Sequence, residues 1–419
     1  MTEFFNVLPP DQARALLLRH LTTVLPAETI PTATAVGRIT AAAQNAPTPL
    51  PAFRRSSMDG YAVRAADTYG ASDSLPALLT VVGEALMGQE TAVSLQPGQA
   101  ALVHTGSMVP ADADAVVQIE HTQSIHHSPF TIHHSEFEIE VLRPVAVGQN
   151  ILQIGEDVAQ DAEILPAGHR LRPQDLGGLL AVGITELAVA RQPRVGILAT
   201  GDEVVHPTLI TKPGQVRDIN SYIISGQVSE AGGIPMRGGI IPDNYAMLET
   251  AAARLLAECD MLVISAGSSV SARDMTARVM GSLGEPGVLL HGIATRPGKP
   301  TIVGAVGGKP LLGLPGNPVS AMIQFDMLGV PALYHLQGLT TPPRRSHARA
   351  RLTHNLPSES GREDYVPARL EDSADGLLAT PIFGKSNLIY TLVHADGLIQ
   401  TPLNKAGLEA GEWVNVRLF

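Results

Sequence analysis

The sequence predicts a multidomain α/β-plus-β chain, and three observations carry that reading. From Arg194 onward, short apolar runs that end in glycine alternate with amphipathic stretches, the pattern of an open α/β sheet. Before it, residues 49–142 break into short alternating or apolar runs separated by Gly, Pro and Asp, which indicates a β-rich inserted unit. After it, beyond the linker "TTPPRRSHAR", residues 347–419 read as a small unit of strands ending in "GEWVNVRLF".

Each element follows from local sequence. Residues 11–24 read as a helix beginning near Asp11. Leu78 to Val82, Ala100 to His104 and Ala115 to Ile119 read as strands of the inserted unit. In "RPQDLGGLLAVGI", Pro173 suits the first helical position. "VGILAT" is a buried strand, "INSYIISGQVSEAGG" a helix closed by glycines, "RGGII" a strand and "PDNYAMLETAAARLLAEC" a helix. "MLVISAG", "GVLLHGIA", "PTIVGAV" and "PLLGLPG" are further strands. Val319 to Leu328 reads as a helix. Before it, Pro315-Gly316-Asn317-Pro318 turns sharply from strand to helix, with Asn317 at the N-cap and Pro318 at the first helical position. That turn is either a helix start offered to an anion or a tight connection and nothing more.

Bulk composition narrows the function. Aromatic residues are only 4% of the 419, so the cores must be built mainly from Ala, Val, Leu and Ile. A formal net charge of -11 argues against a general nucleic-acid binder, which needs a cationic surplus, and leaves room for a small local basic patch. With Cys259 as the only cysteine, no intramolecular disulfide exists, and the thiol beside an apolar run reads as buried and structural. No apolar run reaches membrane-spanning length and the N-terminus lacks a basic-then-apolar leader, so a cytoplasmic enzyme is expected.

Three strands of the α/β unit end in polar, glycine-bearing loops: "ATGDEVV", "SAGSSVSARD" and "LPGNPVSA". Ligands of open α/β sheets bind beyond the carboxyl ends of the strands. The crevice there would gather Asp202, Glu203, Asp243 and Asp274 with Ser269, Ser320 and Asn317. Arg296 and Lys299, on the proline-stiffened "TRPGKPT", suit an oxyanion. Clustered carboxylates oppose one: two unit charges about 4 Å apart interact by roughly 4 kcal/mol at an effective dielectric near 20. A phosphate group beside these acids therefore calls for a hard divalent cation, most simply Mg²⁺. Taken singly, the same acids also suit helix caps and surface charges. Other chemistries fail on spacing. "GAVGGKP" and "PGKPT" put proline after the lysine of a would-be P-loop, no G-x-G-x-x-G follows a strand, and no C-x-x-C exists. The strip holding His121, His126, His127, His133 and His134 reads as an exposed loop, with transition-metal binding on a hairpin as the alternative.

Taken in order, "RRSSMDGYAVRAADT", "TGSMVPADADAVVQIE", "GILATGDEVV", "GIIPDN", "RPGKP" and "LPGNPVSA" resemble the molybdopterin molybdenumtransferase family, MoeA and the gephyrin E domain. The resemblance implies an elongated four-domain subunit that forms a homodimer. Its parts would be 1–48 with 143–190, the inserted unit 49–142, a molybdopterin-binding α/β domain 191–337, and a C-terminal β-barrel 338–419. It implies insertion of molybdate into adenylylated molybdopterin, with Mg²⁺-dependent release of AMP. Carried over by position, it implies catalytic roles for Asp59, Thr105, Glu203, Asp243 and Asp274, the last three also as metal ligands. Substrate and oxoanion binding would fall to Ser269, Arg296, Lys299, Asn317, Ser320, Arg362, Ser386 and Thr391. Asp59 and Thr105 would approach the crevice of the other subunit. A molybdopterin adenylyltransferase and molybdoenzyme apoproteins would be partners, with no nucleic acid and no membrane. The chain departs from the family pattern at Gly267-Ser268-Ser269, at Arg296 where lysine is commoner, and at Lys385 and Asn387 in a stretch usually rich in Ser and Gly. These departures bear on the choice between molybdate and tungstate. The alternatives are a molybdopterin adenylyltransferase, which as a stand-alone enzyme lacks the flanking units, and a non-catalytic scaffold.

Overall fold

The computed structural model describes residues 7–22, 24–125, 137–266 and 270–419. Its centre is a six-stranded mixed sheet. In chain order this unit runs β1 (Arg194–Thr200), α1 (Asn220–Glu230), β2 (Ile234–Ile241), α2 (Tyr245–Glu258), β3 (Met261–Ala266), α3 (Val270–Ser282), β4 (Pro286–His291), β5 (Ile302–Val306), β6 (Lys309–Pro315) and α4 (Pro318–Gln324). The strand order is β2-β1-β3-β6-β5-β4. The first four strands are mutually parallel, and β5 and β4 add antiparallel.

Strands buried on both faces must be apolar throughout, and alternate side chains feed two cores. Ile197, Val263 and Leu312 face one core with Ile224 and Val228 of α1. Leu198, Ile264 and Leu311 face the other, with Leu248 and Leu255 of α2. Ala13 and Leu17, from an N-terminal helix over Pro10–Arg19, join the first core. Cys259 is buried behind α2, and burial pushes its thiol up, as a structural cysteine requires.

Three local outcomes differ from expectation. The N-terminal helix expected over residues 11–24 ends at Arg19. The helix α3 was not anticipated, because Ser- and Gly-rich residues precede it and mask its period; it carries Asp274 on a helix rather than in a loop. The helix expected over Val319 to Leu328 is α-helical only to Gln324, then passes through a π turn over Phe325–Gly329 and resumes at Val330–Leu336. Pro331 has no N–H to give and crowds the preceding turn, so the backbone widens just before it.

The remaining units surround this centre. Ala27–Pro31 pairs antiparallel with Glu186–Ala190, and Gln44–Asn45 with Glu163–Leu165, so the chain leaves and re-enters one extended unit. Between those segments a second six-stranded sheet includes Gly60–Val63, Gln99–Val103 and Ala115–Gln118. Strands from Glu363–Ser373, Gly376–Pro381, His347–Leu352, Trp413–Leu418 and Gly397–Thr401 close on one another as a five-stranded barrel. The multidomain α/β-plus-β class, with a β-rich insertion and a C-terminal barrel, is thus the one expected. Among the described residues no helix is long and apolar enough to cross a membrane.

Candidate active site at the sheet edge and barrel seam

The carboxyl ends of β1, β2 and β6 lie on one edge of the sheet. Asn220, at the start of α1, joins them: its Nδ2 donates to Ser265 Oγ (2.8 Å) at the end of β3 and to the Gly316 carbonyl (2.9 Å) after β6. Sequence reading passed over Asn220 because nothing local marks a side chain that bridges residues 45 and 96 positions away.

On one side of this edge sit the acids. The Asp243 amide donates to Asp202 Oδ1 (3.1 Å), and Thr200 Oγ1 donates to Asp243 Oδ1 (3.0 Å). The loops after β1 and β2 are therefore locked together, with Asp202, Glu203 and Asp243 exposed on top. Asp274 is exposed on α3. Among the described residues no three acids or histidines stand close enough to hold a metal ion, so the expected set Glu203, Asp243 and Asp274 is not assembled as a cage. Ser269, and His126, His127, His133 and His134, lie outside the described residues.

On the other side is a cleft of about 770 Å³ on the seam between the α/β unit and the barrel. The Arg296 segment reaches it as an added strand: Thr295 and Arg296 pair in parallel with Glu363 and Asp364 of the barrel. Beneath that segment Gln324 Nε2 donates to Thr295 Oγ1 and to the Pro297 carbonyl, both at 3.0 Å. This packing explains the glycine of "RPGKP": a Cβ at Gly298 would lie 2.3 Å from Gln324 Nε2, and its φ of +109° disfavours other residues.

The turn Pro315-Gly316-Asn317-Pro318 docks the barrel. Asn317 occupies the N-cap position, yet its side chain makes no cap. Instead Asn317 Nδ2 donates to Ser386 Oγ (3.0 Å), and the Val319 amide donates to the Ser386 carbonyl (3.2 Å). One helix-start N–H is thereby committed to protein. The turn's gift to the cleft is instead Ser320, a buried residue whose hydroxyl has no partner among the described residues. Ser386 Oγ accepts from Asn317 and keeps its own proton to donate. Thr391 lines the cleft but its hydroxyl donates to the Leu388 carbonyl (2.8 Å), closing its own turn.

The cations divide into two kinds. Arg362 Nε donates to Asp364 Oδ1 and its terminal nitrogen to Glu359 Oε2, both at 2.9 Å. Arg296 approaches Asp364 Oδ2 at 3.8 Å. Asp364, whose side chain is 5% exposed, therefore fixes the Arg362 guanidinium and faces the exposed one of Arg296. Lys299 and Lys385 line the same cleft with no ion pair among the described residues. Asp364 escaped sequence reading because the neighbouring arginine drew the functional reading, and an acid inside a cationic site looks misplaced until its partners are seen.

Asp59 and Thr105 meet each other but do not line this cleft. The Thr105 amide donates to Asp59 Oδ1 (2.7 Å) at the end of the inserted sheet. The next residue must be glycine, because a Cβ at Gly60 would lie 1.9 Å from the Val117 carbonyl oxygen of the neighbouring strand.

An open α/β sheet whose carboxyl edge bears acids, with a barrel clamped beside it over a cationic, hydroxyl-lined cleft, defines a protein built to bind a phosphorylated or oxyanionic ligand. Comparison with known proteins names the kind. Residues 8–183 match the MoeA N-terminal region (domain I and II), 196–335 a probable molybdopterin binding domain, and 349–419 the MoeA C-terminal region (domain IV). The chain is 32% identical over 394 residues to molybdopterin molybdenumtransferase 2 of Mycobacterium tuberculosis, covering 93% of this chain and 94% of that protein. It is 32% identical over 415 residues to the molybdopterin molybdenumtransferase of Haemophilus influenzae, covering 99% of both. Among solved structures it resembles the molybdopterin biosynthesis MoeA protein of Pyrococcus horikoshii, with TM-score 0.81, 35% identity and 99% of both chains covered. The chain belongs to the MoeA family.

Proposed function

We propose that this chain is a molybdopterin molybdenumtransferase of molybdenum cofactor biosynthesis, which inserts molybdate into adenylylated molybdopterin and releases AMP. The observation that carries the reading is the seam cleft. Four cations (Arg296, Lys299, Arg362, Lys385) and two carboxylates (Glu359, Asp364) line it, together with Ser320 and Ser386. A tetrahedral dianion needs that combination of fixed charge and donors. Near-complete coverage of the relatives favours the transferase over a stand-alone adenylyltransferase or a scaffold.

Mg²⁺ fits the acidic side of the edge. In phosphate sites it takes one or two carboxylates plus substrate oxygens rather than a protein cage. Asp202 and Asp243, locked side by side, offer that set, with Glu203 next to Asp202 in the chain and Asp274 exposed on α3. When bound, the ion offsets the repulsion between these acids and the substrate phosphates. The chain's own residues do the rest. Lys299 and the serine hydroxyls hold the oxoanion, while Asp364 keeps Arg362 aimed and faces Arg296. Asp59 and Thr105 act on the cleft of the other subunit in a homodimer. The division into 1–48 with 143–190, 49–142, 191–337 and 338–419 belongs to this reading, as do a cytoplasmic setting, an adenylyltransferase that supplies the substrate, and apoproteins that receive the product.

The test is anaerobic turnover of adenylylated molybdopterin with Mg²⁺, comparing molybdate with tungstate and following AMP. Release that depends on both the oxoanion and Mg²⁺ is expected. Full AMP release without any oxoanion would overturn the assignment.

A further inference from the structure

We propose that Lys385 is an anion-binding residue of the cleft, supplying with Lys299 the two positive charges that match a tetrahedral dianion. The proposal rests on the function assigned above and deepens it. Arg362 is committed to Glu359 and Asp364, and Arg296 faces Asp364, so these four groups balance one another. The surplus of two charges on the cleft lining falls to Lys299 and Lys385, which have no ion pair among the described residues. They come from different units: Lys299 from the loop before β5, Lys385 from the C-terminal unit.

The Lys385 backbone is held in place. Its carbonyl accepts from the Leu388 amide (3.0 Å). Its neighbour Ser386 is pinned by Asn317 and by the Val319 amide. A lysine on such a base presents a compact ammonium on a flexible four-carbon stem rooted at the cleft lining. Two unpaired ammonium groups on one cleft repel each other, and a dianion between them relieves that repulsion while a monoanion relieves only part of it. The C-terminal unit thus selects the ligand by charge through the first residue of the turn that bears Ser386 and Asn387.

Two dianions fit this chemistry: the oxoanion itself and the phosphate of the nucleotide. Calorimetric titration of the full chain with sodium molybdate, and separately with AMP, distinguishes them, using wild type, Lys385→Ala, Lys385→Arg and Lys299→Ala. The expected result is molybdate affinity about tenfold weaker in Lys385→Ala, restored in Lys385→Arg, with AMP affinity unchanged. An AMP-only loss in Lys385→Ala supports Lys385 as an anion ligand but assigns it to the nucleotide phosphate. Wild-type affinity of Lys385→Ala for both ligands, while Lys299→Ala loses molybdate, overturns this proposal and leaves the assigned function standing. Failure of the wild type to bind either ligand instead overturns the assigned function. Matching melting curves across the set establish that each variant is folded.

Discussion

The backbone amide of Thr105 donates to the Asp59 carboxylate at 2.7 Å, across 46 residues of sequence. His104 stands at the same carboxylate, its Nδ1 4.0 Å from Asp59 Oδ1 and its Nε2 2.8 Å from Glu84 Oε1. Asp59 is thus held by its surroundings while its side chain stays 63% exposed.

Asp59→Asn keeps an acceptor for Thr105 and removes the charge. We expect it to abolish AMP release with an unchanged melting curve. Mixed with an equally inactive Asp274→Asn variant, it should regain activity, because a mixed dimer carries one site with both acids intact. Exchange proven by tagged subunits, with activity still absent, would show that the two acids serve sites within one subunit.

Lys299→Ala should raise the molybdate concentration needed for turnover. The loss expected is about 1.5–3 kcal/mol, the size of a hydrogen bond to a charged group. Steady-state titration of molybdate at saturating pterin substrate measures it. An unchanged curve with weakened AMP binding would move Lys299 to the nucleotide phosphate.

Asp364→Asn leaves Arg362 without the carboxylate that fixes it and Arg296 without the charge it faces. A loss of about 1–3 kcal/mol in stability is expected, since one partner of a buried charged pair is removed. Urea denaturation gives the number, and an unchanged midpoint would make Asp364 a bystander.

The fourth prediction concerns acid. Asp175 is buried, which alone would raise its carboxyl. Hydrogen bonds from Arg172 and His169 overcome that and hold it well below the usual carboxylate range. A depressed carboxylate stabilises the fold fully above its unfolded pKa and loses that contribution as pH falls toward the folded value. Asp175→Asn should therefore melt lower than wild type at neutral pH, and the gap should narrow below about pH 4. A gap that stays constant down to pH 3 would assign the effect to packing rather than charge.

Much of this was legible in the sequence, for physical reasons that differ by element. The strands β1, β3 and β6 are buried on both faces, so their apolar runs announce them. The helix from Pro173 was marked by proline at its first position, and the fold class followed from the alternation itself. The seam was not legible. That Ser386 holds Asn317, or that Arg296 lies opposite Asp364 in register, depends on contacts 68 and 69 residues apart that leave no local trace. The acids after β1 and β2 were read correctly as neighbours because both follow parallel strands of one sheet. A three-carboxylate ligand set could not be checked by spacing, since it depends on where α3 begins.

The short strand Thr295–Arg296 has a consequence for taking the protein apart. One unit lends a strand to the other's barrel. A barrel produced alone would bare the backbone edge at Glu363 and Asp364 and become prone to self-association. The α/β unit produced alone would lose the support that shapes its "RPGKP" loop. Neither fragment can serve as a faithful stand-in for the whole, and heating the intact chain should melt sheet and barrel in one calorimetric transition rather than two.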